Sequence, residues 1–216
     1  MIRCRSKVTS ICRWAYKVSC GNDFLGDFAK QFNSNVVINP TTIDTTYHKP
    51  FPHLQSREIV IGWTGSHTTL KYLDEVTPVL KKIEEKFSNV KFVAISNGTS
   101  EFKHVAWRKE TEIEDLATLD IGIMPLPDDD WSKGKCGFKA LQYMAMEIPA
   151  VVSPVGVNTK IVTNGIDGFV CNTQDEWIAA LEKLITDGDL RKKMGVAGRK
   201  KVHRDYSVVS NTATFL

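Results

Sequence analysis

The stretch "LDIGIMPLPDDDWSKGKCGFKALQYMAMEIPAVVSPVGVN", Leu119 to Asn158, decides the fold. It opens with a short apolar run, Asp120–Leu126, of the length and composition of a buried strand. An acidic, proline-containing loop follows. A helix then begins near Gly134, and its Phe138, Leu141 and Ala145 form an apolar stripe at helical spacing. A second apolar run, Pro149–Ser153, closes the unit. Strand, helix and strand in this order make a βαβ unit with parallel strands.

The pattern repeats outward from that unit. Asn35–Asn39, Glu58–Trp63, Val90–Ile95 and Gly168–Cys171 are further short runs rich in Val and Ile, and His104–Trp107 is a weaker one. Helical periodicity runs over Asp23–Phe32, Thr69–Phe87, Thr111–Leu119, Gln174–Asp187 and Leu190–Tyr206. Pro78 predicts a kink in the second of these, Gly188 reads as a stop after the fourth, and Gly195 and Gly198 weaken the fifth. The prediction is an α/β fold with a doubly wound, Rossmann-like parallel sheet over 58–206. Residues 1–50 are too few for a core of their own and read as the tail of a preceding domain, with 51–57 a linker and 207–216 a C-terminal tail.

Bulk composition narrows the function. Of 216 residues, 42% are hydrophobic and 25% charged, the balance of a globular protein, and a net charge of +3 gives no basis for nucleic-acid binding. The basic cluster Gly198–Arg204 reads as a solvated helix face, with weak membrane-surface association the alternative. Five cysteines without a C-x-x-C fit a reducing, cytoplasmic setting better than a disulfide framework or a zinc site. No apolar run is long enough for a membrane span.

In open α/β sheets, ligands sit at the carboxyl ends of strands. The loop "GWTGSHTTLK" places Gly65, Ser66, His67 and Lys71 there, as an anion site or as a helix cap with tight turns. The loop "KGKCGFKALQ" places Gly134, Lys135, Cys136, Gly137, Phe138, Lys139 and Gln142 at a helix start. Lys135, Lys139 and Gln142 share one helix face. Backbone N–H groups between glycines favour phosphate there, against the alternative of two solvated lysines. Trp107 and Arg108 could flank a planar base, but a core Trp and a surface Arg are the simpler reading of them. Asp128–Asp130 are adjacent carboxylates that cannot all face one ion, so no metal is expected.

"IGWTGSHTTLKYL", the Leu119–Asn158 stretch and "NGIDGFV" together resemble the C-terminal, donor-binding half of GT-B-fold nucleotide-sugar glycosyltransferases, the retaining group 1 (family 4-like) class. The resemblance covers about Gly21 to Tyr206, and residues 1–50 match only the end of that family's N-terminal domain. It implies transfer of a sugar from a nucleoside diphosphate to a glycan or lipid-linked acceptor, with no metal cofactor. It implies Lys71 and Lys139 as the catalytic cations. Gly65, Ser66, His67, Arg108 and Gly134–Phe138 would bind the donor. Two family glutamates would fall on Gly134 and Gln142, and the second would hold ribose; Gln142 offers an uncharged amide instead. Two alternatives stay open: a nucleotide-binding module without turnover, and a nucleotide-sugar epimerase of the same fold.

Overall fold

In the computed structural model, residues 5–51, 58–99 and 101–215 are described. The expected linker lies almost wholly outside them. The chain begins with α1 (Arg5–Trp14), β1 (Val18–Cys20), α2 (Asp23–Lys30) and β2 (Val36–Ile38), and β1 pairs with β2 in a parallel two-stranded sheet. Its small core is Cys12, Cys20 and Ala29, packed with Val8, Leu25 and Ile38.

The main sheet follows. Its first half is β3 (Ile59–Gly65), a 3-10 helix (His67–Glu75), α3 (Thr77–Lys86), β4 (Val90–Ser96), β5 (Lys103–Ala106) and α4 (Glu112–Ala117). Its second half is β6 (Ile121–Met124), α5 (Asp130–Lys133), α6 (Phe138–Ala145), β7 (Ala150–Val152), α7 (Asn158–Ile161) and β8 (Gly168–Val170). Then come α8 (Gln174–Thr186), α9 (Gly188–Lys201), a π turn (Val202–Tyr206) and α10 (Thr212–Phe215). The six strands are parallel in the order β5-β4-β3-β6-β7-β8. The chain winds outward from β3 one way and from β6 the other, so the switch point lies between β3 and β6.

Each face of the sheet is covered. On one side α3 and α8 bury Leu80, Ile83, Trp177, Leu181 and Leu184 against Ile61 and Phe92. On the other, α4 and α6 bury Leu116, Leu141, Tyr143 and Met144, joined by Val202 of the π turn. Each fully buried Leu or Ile contributes about 1.5–3 kcal/mol, which is what fixes these helices on the sheet.

Several elements differ from expectation for local reasons. Thr69–Phe87 is not one kinked helix. Pro78 sits in the first turn of α3, where its missing N–H costs nothing, and the residues before it coil as a 3-10 helix. Gly188 does not end α8. It starts α9, because the Asp187 side chain caps Leu190 N–H at 2.8 Å. Gly195 and Gly198 are close-approach positions: a Cβ on Gly195 would lie 1.9 Å from the Glu147 carbonyl oxygen. The helix expected from Gly134 begins at Phe138, after α5 has made a separate turn.

The carboxyl ends of β3 and β6 splay apart. Their pairing stops at Gly62–Gly122, while β3 continues beside β4 to Gly65 and β6 beside β7 to Met124. Tyr143 of α6 fills the gap. Its ring covers Gly122, where any Cβ would fall 2.3 Å from ring carbons. Its hydroxyl accepts from Thr64 N–H at 3.0 Å and lies 3.4 Å from the Ile123 carbonyl, to which it donates.

Candidate functional site

A cavity of about 510 Å³ opens over this splayed end, within the usual range for small-molecule sites. Thr64, Gly65 and Ser66 line one wall, and Gly134–Lys139 with Gln142 line another. Asn97, Trp107, Glu112 and Met124 complete it.

The β3 wall is shaped by glycine and by internal capping. A Cβ on Gly65 would meet the Trp63 ring at 2.5 Å and Lys139 Cε at 2.9 Å. Only glycine lets this strand end lie against that lysine. The hydroxyls beyond it are engaged with each other: Ser66 Oγ lies 2.8 Å from Thr68 Oγ1, and Thr69 Oγ1 donates to the Ser66 carbonyl at 3.0 Å. His67 N–H donates to Asn97 Oδ1 at 2.9 Å.

The α5–α6 wall is set by Asp129 and two glycines. Asp129 Oδ1 accepts from Ser132 N–H at 2.7 Å, and this bond holds its carboxyl below the usual range. Asp128 pairs with Lys133 at 3.0 Å. The acidic loop thus serves capping and surface pairing. Gly137 then takes φ of 71°, and a Cβ there would strike Ile161 Cδ1 at 2.2 Å. α6 starts on the next residue with no side-chain cap, so its first N–H groups are open to a ligand.

Two lysines point into this start. Lys139 Nζ lies 5.6 Å from the Trp63 ring centroid. Burial, with a smaller push from Lys135, brings its pKa down to about 8. Lys135 Nζ lies 5.2 Å from the Tyr72 ring and 5.9 Å from the Trp131 ring, and burial lowers its pKa as well. Among the described residues, neither lysine forms an ion pair. Two desolvated cations over a helix N-terminus, of which Lys135 is only partly offset by Asp129, favour an anion there.

The expected residues fall into two groups. Gly65, Ser66, Gly134, Lys135, Cys136, Gly137, Phe138, Lys139 and Gln142 converge on the cavity. His67, Lys71 and Arg108 do not line it. Lys71 Nζ lies 5.6 Å from the centroid of the Tyr72 ring, the ring that Lys135 also approaches. Arg108 is exposed, and its neighbour Trp107 lines the cavity instead. Asn97 and Glu112 also line the cavity, and no sequence motif singles them out. Asn97 follows β4 directly, so its position at a strand's carboxyl end was an available signal. Glu112 carried none beyond an acidic helix start.

Against this geometry stand the comparisons with known proteins. The model for the family "Glycosyl transferases group 1" matches residues 58–187, more than half of the chain. The chain belongs to this family. A relative, the capsular polysaccharide biosynthesis glycosyltransferase CapM of Staphylococcus aureus, is 26% identical over 186 residues. That match covers 76% of this chain and 46% of CapM, so the chain spans about half the length of this relative. The C-terminal domain of LpcC, a glycosyl transferase group 1 protein of Francisella tularensis, superposes with a TM-score of 0.63 at 17% identity, covering 77% of this chain and 99% of that domain. HepE of Anabaena, solved with UDP and glucose, gives 0.78 at 12% identity over 98% of this chain and 64% of its own. Both likenesses concern the fold: this group 1 glycosyltransferase chain carries the Rossmann-like C-terminal domain of the GT-B architecture.

Proposed function

We propose that this chain is the donor-binding half of a retaining glycosyltransferase, holding a nucleoside diphosphate sugar for transfer to an acceptor hydroxyl. The observation that carries this reading is the desolvated, unpaired Lys139 beside Gly65 and the open N-terminus of α6. A diphosphate satisfies all three at once. Its charge offsets the cost of burying the ammonium, its oxygens accept from the backbone N–H groups, and it needs the close approach that Gly65 and Gly137 permit. HepE, of like fold, was solved with UDP-glucose, which agrees with a donor of this class.

As the glycosidic bond to the donor breaks, negative charge builds on the leaving diphosphate. Lys139 and Lys135, with Lys71 at the same Tyr72 ring as Lys135, stabilise that charge more in the transition state than in the ground state. The reading gives no role to a resident metal, since Asp128 and Asp129 are spent on Lys133 and on capping α5. In the same proposal, residues 1–50 belong to the tail of an N-terminal Rossmann-like domain that supplies the acceptor side, and 58–206 form the donor domain.

Calorimetric titration with UDP and GDP tests it. Binding of one of them, weakened at least about tenfold by Lys139→Ala, is expected for loss of a buried charge-assisted contact. Equal affinity in the wild type and the variant would remove Lys139 from the site.

A further inference from the structure

Gln142 is buried, 4% exposed, and both of its amide hydrogens are committed. Its Nε2 lies 3.1 Å from Glu112 Oε1 and 3.3 Å from His48 Nε2. The His48 tautomer follows from its other nitrogen, Nδ1, which lies 3.3 Å from the Asp44 carbonyl and must donate to it. Nε2 is therefore the acceptor, and burial lowers the His48 pKa and keeps the ring neutral. Gln142 spends its donors inside the protein.

Glu112 receives them. The same Oε1 also accepts from Trp107 Nε1 at 3.2 Å, so two donors from different elements fix one edge of the carboxylate. Glu112 is the only carboxylate among the described residues that line the cavity. It stands against Gln142, which is three residues along α6 from Lys139, a separation of about 4.5 Å along the helix axis. The cavity thus has a cationic part at the start of α6 and an anionic point one turn further on. A carboxylate at position 142 would face Glu112 as a like charge, which disfavours ionisation of both. The neutral amide at 142 and the acid at 112 are a matched pair.

We propose that Glu112 is the carboxylate that receives the ribose cis-diol of the bound nucleotide, with Gln142 as the positioning residue that holds it. This rests on the reading of the cavity as a nucleoside diphosphate site. A carboxylate cannot face the phosphates that the lysines attract. It accepts only; Oε1 is taken by Trp107 and Gln142, so the lone pairs of Oε2 are the ones left for the O–H donors of a vicinal diol, beside the Tyr47 hydroxyl that also hydrogen-bonds Glu112. Trp107 and Gln142 hold the carboxylate in place before the ligand arrives, so little ordering remains to oppose binding.

The test is the affinity ratio between a nucleotide and its 2′,3′-dideoxy counterpart, measured calorimetrically on the full chain with UDP or GDP. The wild type is expected to prefer the ribonucleotide by tenfold or more. Glu112→Gln should shrink that ratio to within about threefold, because charge-assisted hydrogen bonds are roughly twice as strong as neutral ones. A wild type that binds both nucleotides equally overturns the assignment without any variant, and so covers the case of a variant that fails to fold. Equal weakening of both ligands in Glu112→Gln, with the ratio kept, is what a merely structural role gives and also overturns it. Failure of the wild type to bind UDP or GDP at all overturns the underlying reading and this inference with it.

Discussion

At the scale of a residue, Lys139 concentrates the chemistry. Its ammonium sits over Trp63 and forms no ion pair among the described residues, and burial lowers its pKa from 10.5 to about 8. The folded value lies below the unfolded one, so the charged lysine is disfavoured in the fold. The cost is present in full below about pH 8 and is relieved as pH rises toward the ordinary lysine value. An anionic ligand has the opposite dependence. It binds the protonated form, raises the pKa, and draws a proton from solvent near pH 8. Diphosphate affinity should therefore fall by about tenfold per pH unit above the transition, the limit for one linked proton. Calorimetry in two buffers of different ionisation enthalpy should show proton uptake near pH 8, and Lys139→Met should abolish it. Affinity that stays level from about pH 7.5 to about 9.5 would mean that Lys139 does not meet the anion.

At the scale of an element, α6 both closes the sheet and opens the cavity. Thr64 N–H has no partner on β6 because pairing ends at Gly62–Gly122, and the Tyr143 hydroxyl supplies one at 3.0 Å. Burial keeps that phenol protonated by pushing its pKa above the ordinary value. Tyr143→Phe should leave the Thr64 donor unsatisfied and lower the unfolding free energy by about 1–3 kcal/mol, read from urea denaturation. A loss well below that range would mean water replaces the hydroxyl. Much of this was legible beforehand. Short apolar runs gave the six main strands, and the Gly134–Lys139 loop declared itself by glycine and lysine at a strand's carboxyl end. What was hidden depends on contacts distant in sequence. Glu112 meets Gln142 across 30 positions, and only the packing of α4 near α6 brings them together. The true start of α6 was hidden for a local reason, since Gly134 caps the end of α5 and the left-handed Gly137 restarts the chain. β1, three residues long, is too short to carry a periodicity.

At the scale of the molecule, the start of α2 is tied to the loop that forms one wall of the cavity. Asn22 is 3% exposed and performs two tasks. Its Oδ1 accepts from Leu25 N–H at 2.9 Å and caps α2. Its Nδ2 donates to the carbonyls of Lys133 and Lys135, at 3.2 and 3.1 Å, on either side of Gly134. Lys160 pairs with Asp23 on the surface nearby. At the far end of the chain, Ile43 N–H donates to the Tyr206 carbonyl and Val208 N–H to that of Ile43, which ties the C-terminal segment back to the residues between the sheets. The loop that presents Lys135 and Gly137 is thus held by a residue from outside the six-stranded sheet and its helices. Asn22→Ala removes the cap and leaves two loop carbonyls short of a donor, so it should cost about 1–3 kcal/mol of unfolding free energy. It should also weaken nucleotide binding several-fold without touching any group that meets the ligand. The two effects separate in Asn22→Asp, which keeps the cap oxygen but turns the donor toward the loop into an acceptor. Aspartate should retain more stability than alanine and bind nucleotide no better. If Asn22→Asp binds as the wild type does, the loop holds its shape without the N-terminal sheet.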